Sequence, residues 1–295
     1  MTGKERGFLL LTSQLGDPER KPLTVAQFRT LARRVSLMEG PKGNGEVTEE
    51  DLLALGYDRS MAFHILQLLA DEGQLDRYLY RGKLKSCFPV SRAGDAYPAV
   101  VRNRLGLDAP GCLWLQGDAG LLQTQMISLV GSRDLAAPNY AFAQRVGEEA
   151  ARQGITLVSG NARGADTEAQ EACLQNGGKV ISVVADELEN CPLRESVLYV
   201  SEDSFDLPFS GIRALSRNRI IHALGYLTFV AQSNLGKGGT WDGTVKNLSN
   251  NWSPVFCYAD GSLAATELEQ RGATLIDITQ LSDFATLQSN IQSFL

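Results

Sequence analysis

The stretch LSRNRII, residues 215–221, sets Arg217 and Arg219 on either side of Asn218, directly before a largely apolar run from Ile220 to Leu227. Between Leu207 and Trp241 there is no acidic residue to pair with them, although Arg213 and Lys237 add further positive charge. Arginines at a helix start oppose the helix dipole. A solvated first turn with Asn218 bonding locally therefore explains them poorly. An external anion explains them better, because the planar guanidinium offers a phosphate paired N–H donors.

Three glycine-containing loops point the same way. Gly131, Ser132 and Arg133 follow the apolar run ISLV. SGNARGAD follows ITLV and supplies Ser159, Gly160, Arg163, Gly164 and Asp166. NLGKGGTWDGT follows LTFVAQ and supplies Lys237, Gly238, Gly239 and Thr240. Each loop lies where a strand hands over to a helix, so its backbone N–H groups and the positive end of the helix dipole can face an anion. With Arg217, Asn218 and Arg219 these residues form the candidate phosphate-binding set. Asp166 is expected to cap the helix TEAQEACLQ, itself or through Thr167, since Asp is a strong N-cap; a contact to a ribose hydroxyl is the alternative. Tyr140 and Trp241 are the aromatic residues best placed to stack on a base.

Other chemistries lose ground. No GxxxxGK[ST] phosphate loop is present, and GNARGA lacks the middle glycine of GxGxxG. No GxSxG elbow exists, which argues against a nucleophilic triad. His64 and His222 stand far apart without cysteine pairs nearby, so no metal site and no cofactor is expected. The reading is one of binding, not of catalysis.

The elements that must position these loops can be read from periodicity. Residues 22–80 are expected to be helical, with a capping pattern from Thr48 to Asp51, a glycine-rich break over residues 40–46, and His64 on the helix DRSMAFHILQLLADEG. From Gln125 onward, short apolar strands alternate with amphipathic helices closed by glycine, which implies βαβ crossovers and a parallel sheet. The expected organisation is a helical N-terminal module over 1–80, a connecting region with strand-like pieces over 81–124, and a Rossmann-like domain over 125–295. The fold class is α/β, a Rossmann-like, doubly wound, mostly parallel sheet preceded by a helical N-terminal module. A net charge of −6 argues against non-specific coating of nucleic acid but not against a local basic patch. No apolar run is long enough to span a bilayer, and the five scattered cysteines read as free thiols, so no membrane association and a cytoplasmic location are expected.

The order and spacing of YPAVV, ISLVGSR, GITLVSGNARGADTEAQEACLQNGGKVISVVAD, LYVSED, LSRNRIIHAL and LTFVAQSNLGKGGTWDGT resemble the DNA-processing protein A (DprA/Smf) family across Tyr97 to Tyr258. The resemblance implies binding of single-stranded DNA in a positive pocket at the sheet edge, delivery of the strand to the RecA recombinase during DNA uptake or recombination, and a homodimer. Carried over by motif, it assigns the pocket to Gly131, Ser132, Arg133, Ser159, Gly160, Gly164, Asp166, Arg217, Asn218, Arg219, Gly239 and Thr240. Gln170 stands where the family usually has a histidine, and GKGGTWDGT where it has SGSLITA; the segment between VISVV and LYVSE is short, and no C-terminal winged-helix extension is expected. A sensor of a nucleotide-derived ligand in the same Rossmann-like group is the alternative. An enzyme of phosphoribohydrolase type would need a second carboxylate, and Asp242 in KGGTWDGTVKNL has none after it.

Overall fold

The computed structural model describes residues 1–37, 47–202 and 204–287. The glycine-rich break expected over 40–46 lies outside the described residues. The N-terminal region is helical: α1 (Gly3–Thr12), α2 (Val25–Ser36), α3 (Glu49–Ala54), α4 (Arg59–Ala70) and α5 (Glu72–Leu84). The Thr48–Asp51 capping box forms as its residues spell out, and Thr2 with Glu5 and Thr24 with Gln27 make two more. Leu11, Phe28, Leu31, Leu52, Ile65 and Leu68 bury together as a small core of this region. Arg20 ties its loops from inside: Nε donates to Asp71 at 2.9 Å, and Nη2 donates to the carbonyls of Leu10 and Leu68 at 2.7 and 3.0 Å.

The segment 81–124 holds β1 (Phe88–Ser91), α6 (Ala99–Leu105) and β2 (Cys112–Gln116). β1 pairs antiparallel with β2, and β2 antiparallel with a later strand, so this segment extends the sheet. The remaining elements alternate: β3 (Met126–Val130), α7 (Ala137–Arg152), β4 (Thr156–Ser159), α8 (Ala165–Gln175), β5 (Val180–Val184), β6 (Val197–Glu202), α9 (Gly211–Ser216), α10 (Asn218–Leu224), β7 (Thr228–Val230), α11 (Gly238–Asn250), β8 (Val255–Tyr258), α12 (Leu263–Gln270) and β9 (Thr274–Ile276).

The nine strands form one sheet in the order β1-β2-β6-β5-β4-β3-β7-β8-β9, parallel from β6 to β9. The chain winds outward from β3 to β6, then returns to start again at β7 on the other side of β3. Strand order reverses at β3/β7, and in open parallel sheets the crevice outside the carboxyl ends near such a reversal is where ligands sit. Both faces are covered. Ile127 and Leu129 of β3 enter one core with Phe142 and Val146 of α7 and Ala169 and Cys173 of α8. Met126 and Val130 enter the other with Val101 of α6, Ile220 and Ile221 of α10 and Leu268 of α12. This is the period-2 alternation of a strand buried on both sides.

The N-terminal region is docked on the sheet by aromatic packing. Tyr78 of α5 stacks on Phe205 at 4.6 Å between ring centres and meets Trp114 of β2 edge-on at 5.2 Å. The Tyr78 hydroxyl donates to Asp206 at 2.6 Å, and Arg81 approaches the same carboxylate at 3.1 Å. All five cysteines are free thiols. Among the described residues no helix is long and apolar enough to cross a membrane.

The two helices flanking β4 lie so close that a Cβ on Gly147 of α7 would run into the carbonyl of Ala169 on α8. Gly147→Ala should therefore push α7 and α8 apart and lower stability by about 1–3 kcal/mol, as overpacking of a tight core does. A urea denaturation midpoint unchanged from that of the parent chain would contradict this packing.

Candidate functional site

At the carboxyl ends of β3, β4 and β5 the surface opens into a cavity of about 490 Å³. Arg133 enters it from the loop after β3, Asn161, Ala162 and Arg163 from the loop after β4, and Ala185 and Asp186 from the end of β5. Phe209 closes it from the segment before α9, and Arg217 from the junction of α9 and α10.

Arg217 forms the inner wall. It ends α9 and starts α10, its N–H donating to the carbonyl of Arg213 at 2.9 Å, while Ile220 and Ile221 sink the next turn into the core. Its side chain is 10% exposed and lies 3.7 Å from Asp166, yet its Nε and Nη1 have no hydrogen-bond partner. Burial pulls this guanidinium below its ordinary pKa and pushes the Asp166 carboxyl above its own, each opposed by the other's charge. Gly160 is glycine for a steric reason: a Cβ there would occupy the space of the Arg217 guanidinium and the Asp166 carboxylate.

Asp166 is not the helix cap expected of it. α8 begins at Ala165 with Gly164 as N-cap, at φ +89° and without a side-chain cap. Asp166, one residue into the helix, reaches back to accept the N–H of Ala162 at 3.3 Å and stands against Arg217 and Ser159. Thr167 donates to the Gly164 carbonyl at 3.1 Å. Gln170 is buried and donates to the Gly160 carbonyl, so it braces the loop from beneath.

The other arginines of the acid-free stretch have internal partners that local sequence does not reveal. Arg219 pairs with Glu202 at the end of β6 and also donates to the hydroxyl and carbonyl of Ser216 and to the Asp108 carbonyl. It turns away from the cavity. Arg213 donates to the carbonyls of Ala185 and Leu207 at 2.6 Å, to that of Pro208 at 3.0 Å and to the Ser201 hydroxyl at 2.9 Å. It thereby clamps the Ala185 wall to the segment carrying Phe209. Two arginines build the site, and Arg217 is left to face it.

The remaining predicted residues divide in the same way. Arg133 and Arg163 line the cavity. Arg163 is paired with Asp134 at 2.7 Å, but both side chains are more than three-quarters exposed, so the pair is easily given up. Ser132 takes the Ala165 N–H on its carbonyl at 3.2 Å, fixing the start of α8. Asn218 donates to the Gly239 carbonyl at 3.0 Å, and Thr240 to the Gly131 carbonyl at 2.8 Å, so the third loop is laced to the first and to the arginine turn. Lys237 and Gly238 stand at the start of α11 and do not line the cavity. Tyr140 sits on α7 and Trp241 lies under the Arg271 guanidinium, 5.8 Å from its ring centre; neither reaches the cavity. The aromatic residue that does is Phe209, half exposed.

Asn161, Asp186 and Phe209 were missed by sequence reasoning. Asp186 had a signal, since it stands two residues beyond the carboxyl end of β5, where ligands bind in such sheets. Phe209, an aromatic after Pro208 and outside any apolar periodicity, had a weaker one.

The family model for DNA recombination-mediator protein A matches residues 90–285. Protein Smf of Escherichia coli (strain K12) is 32% identical over 142 residues, which cover 44% of this chain and 38% of that protein. DNA processing protein DprA of Streptococcus pneumoniae is 31% identical over 144 residues, covering 44% and 50%. The chain thus spans half or less of the length of these curated relatives. The X-ray structure of DNA processing protein A from Streptococcus pneumoniae superposes with a TM-score of 0.74 at 23% identity, over 95% of this chain and 96% of that one. DNA processing protein A from Helicobacter pylori, whose structure describes a single-stranded DNA binding mode, superposes with a TM-score of 0.58 at 23% identity, over 69% and 96%. At these identities the structural likeness is one of fold.

The two arginines of the turn should differ in what their removal costs. Arg219→Met leaves Glu202, 9% exposed, buried without its cation and should destabilise by about 3–5 kcal/mol. Arg217→Met removes a guanidinium with two unanswered donors and leaves an acid already inclined to take up a proton, so it should cost roughly 1–2 kcal/mol. Denaturant titration of both variants checks the order; equal losses would mean that Arg217 is as fully partnered as Arg219.

Proposed function

The chain belongs to the DNA recombination-mediator protein A family, and on that premise we propose that it binds single-stranded DNA in the cavity at the carboxyl ends of β3, β4 and β5. The observation that carries the proposal is Arg217, which lines the cavity while its buried Nε and Nη1 have no partner. An unpaired buried donor costs roughly 1–3 kcal/mol, and more when charged, unless a ligand answers it. A phosphate oxygen is the natural answer, with Arg133 and Arg163 at the rim for the neighbouring phosphate charge. Phe209 beside them offers a base a stacking face, which single-strand binders use irrespective of sequence. The proposed role is binding; His222 is fully buried beneath α11, against the Asn247 amide at 3.1 Å, and burial drives its pKa down to about 3, so it stays neutral. Delivery of the strand to RecA recombinase in a homodimer, during DNA uptake or recombination, is the wider role that the family reading carries with it.

A second reading, a sensor of a nucleotide-derived ligand, draws support from the cavity itself, whose volume suits one small molecule. Fluorescence anisotropy of labelled single-stranded oligonucleotides across a salt series separates the two. Three arginine–phosphate contacts should give a plot of log K against log salt with a slope of about −2. Arg217→Ala should weaken binding roughly 10- to 100-fold, the share of a charged hydrogen-bonded contact. Salt-independent binding, or complete displacement by a mononucleotide at low concentration, would exclude the single-strand reading and leave the sensor.

A further inference from the structure

We propose that Asp186 reads the base of the nucleotide in the cavity and favours bases that carry an exocyclic amino group. The inference rests on the reading that this cavity takes a nucleotide.

Its starting point is a carboxylate in the wrong company. In a cavity that gathers Arg133, Arg163 and Arg217 for phosphate, the charge of Asp186 supports the buried Arg217 guanidinium from a distance but repels the same phosphate. The other acids around the site are answered: Asp134 by Arg163, Asp166 by Arg217, Glu202 by Arg219. Asp186, half-buried in the cavity wall, has no ion pair or hydrogen bond to its carboxylate among the described residues. It is held in place all the same, because Arg213 fixes the preceding carbonyl of Ala185 at 2.6 Å.

An ionised carboxylate can only accept hydrogen bonds. Its complement on a nucleotide is the exocyclic amino group of cytosine, adenine or guanine, whereas thymine has none and presents a carbonyl at the corresponding edge. Phe209 on the same cavity supplies the face on which a base can stack while its edge meets Asp186. Asn161 both donates and accepts, so it accommodates any base and discriminates little. The division of labour is then ordinary for nucleic-acid sites: guanidinium groups hold phosphate and position the strand, and a base-edge contact specifies.

The test compares labelled oligo(dC), oligo(dA) and oligo(dT) of equal length at one salt concentration, with dCMP, dAMP and dTMP titrated separately by calorimetry. The parent chain should bind the dC and dA ligands about fivefold or more tighter than the dT ligands, the share of one base-edge hydrogen bond, and Asp186→Asn should bring the ratio close to one. Equal affinities in the parent chain overturn the proposal. So does an Asp186→Asn variant that tightens all ligands by the same factor, which would make Asp186 a mere repellent of phosphate. If the mononucleotides show the preference and no oligonucleotide binds, the single-strand reading falls while base reading by Asp186 stands. Oligonucleotide binding without preference gives the converse, and no binding of either kind defeats both.

Discussion

A guanidinium held out of water with part of its hydrogen-bonding capacity unused is the constraint around which this end of the molecule is arranged. Arg217 is 10% exposed, its ion-pair partner Asp166 stands at 3.7 Å, and two of its nitrogens find nothing. Left to itself, such a side chain would rotate into water. It does not, because the backbone beneath it is over-determined. The N–H of Arg217 closes the last turn of α9, Ile220 and Ile221 fix the first turn of α10 in the core, and the missing Cβ of Gly160 leaves the guanidinium its only room. An unsatisfied buried donor of this kind persists only where the surroundings enforce it.

The same logic orders the neighbouring arginines. Arg213 and Arg219 spend their donors on carbonyls, hydroxyls and Glu202, which is how a loop-rich sheet edge with few acids satisfies its backbone. Their work extends to the N-terminal region. Tyr78 and Arg81 of α5 hold Asp206, the next two carbonyls are held by Arg213, and Phe209 follows directly. The chain from Ser204 to Phe209 is therefore pinned at both ends, by the docked helix on one side and by the clamp on the other. Among the described residues the helical region contributes no side chain to the cavity, yet it steadies the wall that carries the cavity's aromatic residue.

Much of this was legible in the sequence because it is written locally. Apolar runs, glycine closures and the Thr48–Asp51 box are signals within a few residues, and the three glycine loops did come together at the strand ends. What resisted was pairing across the sheet. Arg219 lies 17 residues from Glu202 and has no acid on its own stretch, so its role as a structural cation could be seen only once β6 and α10 were side by side. The acid-free stretch was a true signal with a wrong inference: absence of a local partner says nothing about a partner brought by topology. Asp166 failed for a related reason. Its type suits a cap, but Gly164 at positive φ moved the helix start, and the carboxylate was recruited by Arg217. The strands of 88–91 and 112–116 joined the sheet through antiparallel pairing, which no βαβ pattern could announce.

Gln170 shows how a departure from a family pattern can preserve a geometry while changing its chemistry. It stands where the family resemblance would put a histidine, and its amide donates to the Gly160 carbonyl from a position 7% exposed, with Ser182 sharing that carbonyl at 3.3 Å. A histidine N–H could support the same carbonyl, so the loop beneath Arg217 keeps its brace. What is lost is a titratable ring at that position. The glutamine amide carries no charge at any pH the protein meets, and it adds no second cation behind Arg217 and no second acid beside Asp166. The charge at the back of the cavity is thereby reduced to one guanidinium and one carboxylate in contact, and the rest of the cavity's charge stands at the front, Arg133 and Arg163 on one side and Asp186 on the other.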